Sequence, residues 1–446
     1  MRRAAWGAAC VALGLSLSAL GDEPPEALAP ALAETAAAAL RAEPGGEVVC
    51  AFVEAAPGAE ALALALAREL PLRPGVRLVQ DAQAITKAAI SHAEDANCFV
   101  WLQVSLRDTP RKRTATAQWF SRAPGADPTR SEPFSVELRR YTAGPVALDS
   151  WRLQQLSLDG GPWLALSVLD LDGDGELDLA ALSREELVVY HFAPRANTKA
   201  PLPSPQEVAR FSLETKRDAP KKSRDPVGSL LVLPTGGLAL RTSDMRRALR
   251  LLWRGNALVE EGESPAFPLS ANEGTDALWG SLSEGKNYFL PEVRLGSRSL
   301  DLGASFYSAS LASAPRGPWL ALSTNEGASL YAGDPLVAVA SPLANTGAQL
   351  LLSDLNRDKT PELLAASASA SNEADEVSLY RLDASGTSAR LWKSGPLYGP
   401  APSGSTARPA ASITALAAGD LDGDGAAEMI AALLAGGRAS LLVIYQ

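Results

Sequence analysis

The chain has only two histidines, three cysteines and three methionines in 446 residues. The shortage of histidine is the most restrictive. His92 falls in a predicted helix near the N-terminus and His191 in a predicted strand further on, so the two are not expected to share a site. A serine-type triad needs a positioned base, and no Gly-x-Ser-x-Gly elbow accompanies either histidine. No His-rich metal motif and no phosphate-cradling loop is expected, so no catalytic residue is assigned. Of the cysteines, Cys10 lies too early, and lacks the Leu three residues before it, for a lipoprotein signal. Cys50 and Cys98 are compatible with one disulfide in an exported protein and equally with two buried thiols. Basic residues are outnumbered, 41 against 51 acidic, giving a net charge of −10. Phosphate binding rests on a concentrated basic surface, so nucleic acid is excluded as a partner. The basic runs Lys221-Lys222-Ser223-Arg224 and Arg246-Arg247 with Arg250 read as solvated loops or strand faces. No apolar run after residue 21 is long enough to span a membrane.

What is present is ordinary for a globular protein: 46% hydrophobic and 21% charged residues, at a length that suits two or three domains. Arg2-Arg3, the uncharged stretch Ala4 to Leu20 and the small-residue site Ala19-Leu20-Gly21 read as a signal peptide over residues 1–21. A signal anchor is the alternative, although an Ala- and Gly-rich stretch is marginal for a span. The expected location is exported: periplasmic, cell-surface or extracellular.

Residues 22–145 form a small mixed α/β domain by their pattern. Glu26 to Arg41, Gly58 to Leu70 and Ala82 to Ala93 suit helices. Glu47 to Val53, Val76 to Val79 and Cys98 to Leu106 suit strands, followed by antiparallel additions at Arg113 to Phe120 and Pro133 to Tyr141. From residue 146 to 446 the helical signal fades, and short apolar segments punctuated by Pro, Gly, Ser and Asn predict an all-β array. The run Gly161-Pro162-Trp163-Leu164-Ala165-Leu166-Ser167 returns at Gly317 to Ser323, which reads as an internal repeat. Pro194 to Pro205, Arg217 to Pro226 and Lys393 to Pro409 read as surface excursions. Trp151, Trp163, Trp253, Trp279, Trp319 and Trp392 read as packing residues, with a carbohydrate-stacking platform as the minority reading.

The chemistry lies in three acidic stretches. Asp170, Asp172, Asp174 and Asp178 supply side-chain oxygens at positions 1, 3, 5 and 9 of the first (loop 1), with Glu176 at position 7. Asp354, Asn356, Asp358 and Glu362 do so in the second (loop 2). Asp420, Asp422, Asp424 and Glu428 do so in the third (loop 3), with Ala426 at position 7. Oxygens at this spacing are what a hard cation such as calcium requires, and the position-7 carbonyl can add another. Glycines at positions 4 and 6 of loops 1 and 3 permit the positive φ that turns the carboxylates inward. Loop 2 has Arg357 and Lys359 there, and whether it takes a cation is left open. An EF-hand would place a Glu at position 12 between helices; position 12 is Ala181 in loop 1 and Ala431 in loop 3, and the flanks read as strands.

Gly419 to Glu428 followed by Met429-Ile430-Ala431-Ala432, with Val168 to Ala181 and Ser353 to Leu364, resembles the FG-GAP or VCBS-type repeat. The resemblance implies one four-stranded propeller blade per repeat, with calcium in a loop between two strands. About 300 residues at roughly 40–50 per blade then give six or seven blades. The element order of the first domain resembles that of the periplasmic TolB family, where such a domain also precedes a propeller. The expected protein is an α/β N-terminal domain followed by an all-β propeller. It binds calcium and serves as a non-catalytic module for a protein or carbohydrate ligand. The alternatives are a calcium-dependent propeller enzyme acting on polysaccharide or phosphate ester, and a TolB-like component of a cell-envelope complex.

Overall fold

The computed structural model describes residues 25–41, 49–73, 76–78, 100–108, 112–121, 134–141 and 148–446, the last range except 149, 159, 172–175, 196–199, 218–225, 234–236, 255–256, 272–276, 340–342, 370–372, 384–387 and 402–405. The expected signal peptide, the helix at 82–93 with His92, and the basic run at 221–224 lie outside the described residues. So do the side chains of Cys50 and Cys98. The chain divides into two compact units at Gly144 and Pro145.

In the first unit a 3-10 turn at Pro25–Leu28 leads into α1 (Ala29–Arg41), and α2 spans Glu60–Glu69. Leu and Ala at helical intervals give each an apolar face. Leu32, Ala33 and Ala36 of α1 meet Leu62, Ala63 and Leu66 of α2 in a core shared with Val53, Leu102 and Val104. Five strands, β1 (Val49–Ala55), β2 (Val76–Leu78), β3 (Val100–Asp108), β4 (Lys112–Ser121) and β5 (Phe134–Tyr141), form one sheet in the order β2-β1-β3-β4-β5. β1 is parallel to β2 and β3, while β3, β4 and β5 are antiparallel neighbours. This is the mixed sheet expected from strands alternating with helices.

The second unit is a six-bladed β-propeller of six four-stranded antiparallel sheets. Blade 1 contains Trp163–Leu169, Asp178–Ser183, Glu186–His191 and Gln206–Ser212, from the inner strand outward. Blades 2 to 5 follow over residues 228–264, 267–301, 308–338 and 346–393. Blade 6 takes three strands from the C-terminus, Ser412–Gly419, Glu428–Ala435 and Arg438–Tyr445. Its outer strand is Arg152–Leu156, which precedes blade 1 in sequence. Register pairs Leu156 with Leu441 and Arg152 with Tyr445, closing the ring.

The second strands are buried on both faces while the outer strands are largely exposed, so the core lies in the inner part of the seams between blades. Short hydroxyl side chains link the inner strands across those seams. The Leu311 amide donates to Ser270 Oγ at 2.8 Å, the Leu352 amide to Ser310 Oγ at 2.8 Å, and Thr414 Oγ1 to the Trp163 carbonyl at 2.6 Å. Blades 6 and 1 meet most closely at Gly419, where a Cβ would lie 2.5 Å from Val168 Cγ1.

Three sequence expectations change here. The repeated Gly-Pro-Trp-Leu-Ala-Leu-Ser run does not occupy equivalent positions: Trp163 begins the inner strand of blade 1, whereas Trp319 begins the second strand of blade 4, Trp319–Thr324. The second strand of blade 4 is buried throughout, while the inner strand of blade 1 is buried at Trp163, Leu166 and Leu169 and half-buried between them, so one apolar run serves either place, and the following turn decides which. Thr324 closes a tight hairpin in which its Oγ1 donates to the Gly327 carbonyl at 2.9 Å, the counterpart of the Ser183 turn in blade 1. Secondly, Leu330 to Val339, a single strand by its apolar pattern, is two strands, Gly327–Ala332 and Val337–Ala338. Thirdly, Pro194 to Pro205 is a surface excursion only in part: Pro194, Pro201 and Ser204 are exposed, but the Arg195 side chain and Leu202 are buried in the seam between blades 1 and 6.

Candidate metal centre

All three acidic loops join the inner strand of a blade to the second strand, in blades 1, 5 and 6. The strand-flanked reading therefore holds, with no helix at either end. Along the sequence the interval from Asp170 to Asp354 is much longer than that from Asp354 to Asp420. Ring closure removes the disparity: blades 5, 6 and 1 are consecutive, and the loops occupy one arc of one face.

Loops 2 and 3 share one internal architecture. The residue at position 2 is a buried leucine that fills the seam toward the next blade, Leu355 in loop 2 and Leu421 in loop 3. Its amide donates to the position-9 carboxylate: Leu355 to Glu362 Oε2 at 2.9 Å, and Leu421 to Glu428 Oε2 at 2.7 Å. The position-3 oxygen accepts from the position-5 amide, at 2.9 Å for Asn356 and Asp358 and 3.0 Å for Asp422 and Asp424. The position-1 carboxylate accepts from the position-6 amide, at 3.0 Å for Asp354 and Lys359 and 3.1 Å for Asp420 and Gly425. The position-5 carboxylate accepts from the position-7 amide of Thr360 or Ala426 at 2.7 Å. In loop 3, Gly423 and Gly425 have φ of 70° and 90°; in loop 2, Arg357 and Lys359 hold φ of 63° and 70° at the same positions.

In loop 1, Asp172 and Asp174 lie outside the described residues. Leu171 is again buried, and its amide approaches Asp178 Oδ2 at 3.4 Å. The other oxygen of Asp178 lies 3.1 Å from His191 Nδ1, on the neighbouring strand. Asp178 and His191 are register partners. Hairpin register was the available signal for this pair, but the sequence reading did not use it.

The electrostatics point into the loops. Glu428 is fully buried, and its Oε1 has no hydrogen-bond partner; Glu362 Oε1 and Asp354 Oδ1 are in the same condition. A buried carboxylate oxygen without a donor is costly, and a cation would satisfy it. Burial, reinforced by Asp358 and Asp354, pushes Glu362 up to about 8. Asp354 is raised by burial. In loop 3, burial raises Glu428 well above the ordinary glutamate value, with repulsion from Asp422, Asp420 and Asp424 acting in the same direction. Asp422 rises to about 6 by burial and the proximity of Asp424. Oxygens of Asp420, Asp422 and Glu428 lie within 4.8 Å of one another, a grouping able to hold a divalent ion. The residues present thus fit a hard cation, most completely in loop 3.

One participant was invisible in the sequence. Arg195, whose side chain is 1% exposed, reaches loop 3 from the segment after the third strand of blade 1. Its Nε donates to Asp422 Oδ2, its Nη2 to Asp424 Oδ2 at 2.7 Å, and its guanidinium lies 4.9 Å from the centre of the Tyr445 ring. Burial lowers its pKa, and Asp422 and Asp424 more than offset that. It lies 227 residues from Asp422 in sequence, and only ring closure brings the two together.

The remaining candidates play structural parts. Trp163 packs edge-on against Tyr190 and Trp151 tilts against Trp392, with ring centres 6.3 and 6.2 Å apart. Arg250 is exposed and pairs with Glu261 at 3.1 Å. Gly280 to Lys286 does carry Gly-x-x-x-x-Gly-Lys spacing, contrary to expectation. Asn287 follows where Ser or Thr is wanted, and the segment is a reversal between bridged Leu282 and Phe289 rather than a strand-to-helix turn.

Residues 354–431, which take in loops 2 and 3, match the family described as FG-GAP-like repeat. The fold and these loops together define a six-bladed propeller carrying FG-GAP-like repeat sequence. No curated protein matches the chain in sequence. Among solved structures it is similar to TolB from Acinetobacter baumannii, at 9% identity over 89% of this chain and 94% of that one, with a TM-score of 0.29. It is also similar to hydrazine synthase from Kuenenia stuttgartiensis, at 13% identity over 63% and 78%, TM-score 0.34. Sqt1 from Chaetomium thermophilum shows 10% identity over 76% and 92%, TM-score 0.36. Likenesses this distant identify neither an activity nor a partner.

Proposed function

We propose that the chain is an exported calcium-binding β-propeller that acts as a non-catalytic binding module for a protein or carbohydrate ligand. The observation that carries the reading is the repeated loop on three consecutive blades, with buried carboxylate oxygens lacking donors in loops 2 and 3. Asp170, Asp172, Asp174 and Asp178 would hold the ion in loop 1, with the Glu176 carbonyl. Asp354, Asn356, Asp358 and Glu362 would do so in loop 2. Asp420, Asp422, Asp424 and Glu428 would do so in loop 3, with the Ala426 carbonyl. Calcium supplies charge neutralisation there, which shapes one arc of one propeller face.

The histidine chemistry supports the non-catalytic reading. His191 is engaged with Asp178 at the base of loop 1, so its removal is expected to perturb a loop and not a turnover. Among the described residues no helix is long and apolar enough to cross a membrane. Calcium titration by calorimetry tests the reading: heat should be released at loops 1 and 3, and be lost site by site in Asp170→Asn and Asp420→Asn. A full-length chain that takes up no calcium at neutral pH contradicts it. Turnover abolished by His191→Ala in a folded protein would contradict the non-catalytic part. N-terminal sequencing of the envelope or medium fraction should find a start near Asp22.

A further inference from the structure

Loop 3 differs from loops 1 and 2 in what the next blade offers it. The leucine of each loop points into the seam toward the following blade: Leu171 toward blade 2, Leu355 toward blade 6, Leu421 toward blade 1. Blade 2 joins its third and fourth strands by a short hairpin, Arg254 to Ala257. In blade 6 those two strands are not consecutive in the chain, because the outer one is Arg152–Leu156. Of these three following blades only blade 1 has a long segment there, residues 192–205, and its described residues Phe192, Arg195 and Leu202 reach the seam with blade 6. Phe192 and Leu202 are buried in that seam. The Leu202 amide donates to Gln154 Oε1 at 2.8 Å, and Gln154 Nε2 donates to the Leu202 carbonyl at 2.9 Å. Arg195 lies between these anchors.

The oxygens that Arg195 takes are the informative detail. Oδ1 of Asp422 and Oδ1 of Asp424 are committed to the loop amides of Asp424 and Ala426. Arg195 binds Oδ2 of each, the oxygens left for a cation. We propose that Arg195 is the resident counter-cation of loop 3, and that a divalent ion enters the loop in competition with it. The inference rests on the calcium reading above and adds a regulator to one of its sites. Loop 3 is then shaped with or without metal, and its affinity is set by the strap from blade 1. A guanidinium and a divalent ion on the same two carboxylates repel strongly at this depth.

The test is calcium titration calorimetry on the full chain, for wild type, Arg195→Gln, Arg195→Lys and Asp420→Asn. The isotherm lost in Asp420→Asn belongs to loop 3. That isotherm should tighten at least about tenfold in Arg195→Gln, and by less in Arg195→Lys, which keeps the charge and loses the two-pronged grip. Should Arg195→Gln not fold, Arg195→Lys still decides the matter, since competition requires it to bind more tightly than wild type. Loop 3 affinity unchanged or weakened by both substitutions overturns the competition while leaving the calcium reading intact. Absence of any isotherm sensitive to Asp420→Asn overturns the competition together with calcium binding at loop 3.

Discussion

Loops 2 and 3 have nearly the same hydrogen-bond pattern and differ in the residues set around it. Loop 3 has four carboxylates and two glycines, and it borrows its positive charge from Arg195 on another blade. Loop 2 has three carboxylates and an amide, and in place of the glycines it has Arg357 and Lys359, two side-chain-bearing residues in the left-handed region. The tertiary fold sets the loop shape, because the pattern of amide-to-carboxylate bonds survives a change of residue at both glycine positions. The sequence decides the charge balance within that shape.

The comparison can be broken at its strongest point first. In the metal-free chain, Arg195→Ala leaves buried Asp422 and half-buried Asp424 beside Asp420 and Glu428 without their guanidinium partner. Removing one partner of a buried ion pair costs on the order of 3–5 kcal/mol, and chemical unfolding in chelator should show a loss of that size. An equivalent loss is not expected in loop 2, which Arg195 does not reach.

Next in size is a pH effect carried by Glu362. Its folded pKa, about 8, lies above the ordinary value of 4.5. The folded chain therefore holds this proton more tightly than the unfolded one. In chelator, stability is fully present below about pH 4.5 and declines as pH rises toward about 8, by at most a few kcal/mol. Glu362→Gln should flatten that slope, because the amide oxygen can still accept from Leu355 and carries no charge. Melting curves between pH 5 and 8 in chelator check it. Added calcium should reverse the slope, since the ion requires ionised ligands.

The smallest expected effect concerns loop 2 backbone strain. Arg357→Gly and Lys359→Gly each relieve a left-handed residue, worth about 1 kcal/mol, offset in part by the added freedom of the unfolded chain. Both should also move the calcium affinity of loop 2 toward that of loop 3. Unfolding midpoints and calorimetry on the double variant measure the two effects together.

Much of this was legible from residue order. Oxygens at positions 1, 3, 5 and 9 between apolar runs carry their own geometry, and the absence of a position-12 acid separates the loops from a helix-flanked site. The mixed sheet of the first unit follows from alternating helix and strand patterns. What stayed hidden depends on closure. The chain order separates Asp170 from Asp420, and only the pairing of Arg152–Leu156 with Arg438–Tyr445 makes their blades neighbours. Arg195 was hidden for the same reason, inside a Pro-bounded segment that composition alone assigns to the surface. The repeated Trp-Leu-Ala-Leu-Ser run misled because an apolar run satisfies both a half-buried inner strand and a fully buried second strand.

The most direct test of the central claim, that these loops bind calcium unequally and so stabilise the propeller, is thermal unfolding of the full chain in calcium and in chelator. The set is wild type, Asp172→Ala, Asp422→Ala and Asp358→Ala. A ligand confined to the folded state contributes about 2.7 kcal/mol per site at a hundredfold excess over Kd. Chelation should lower the wild-type melting temperature. Asp172→Ala and Asp422→Ala should each remove much more of the calcium response than Asp358→Ala. Identical melting curves with and without calcium would show that the loops are acidic turns that bind no calcium, and would contradict the account.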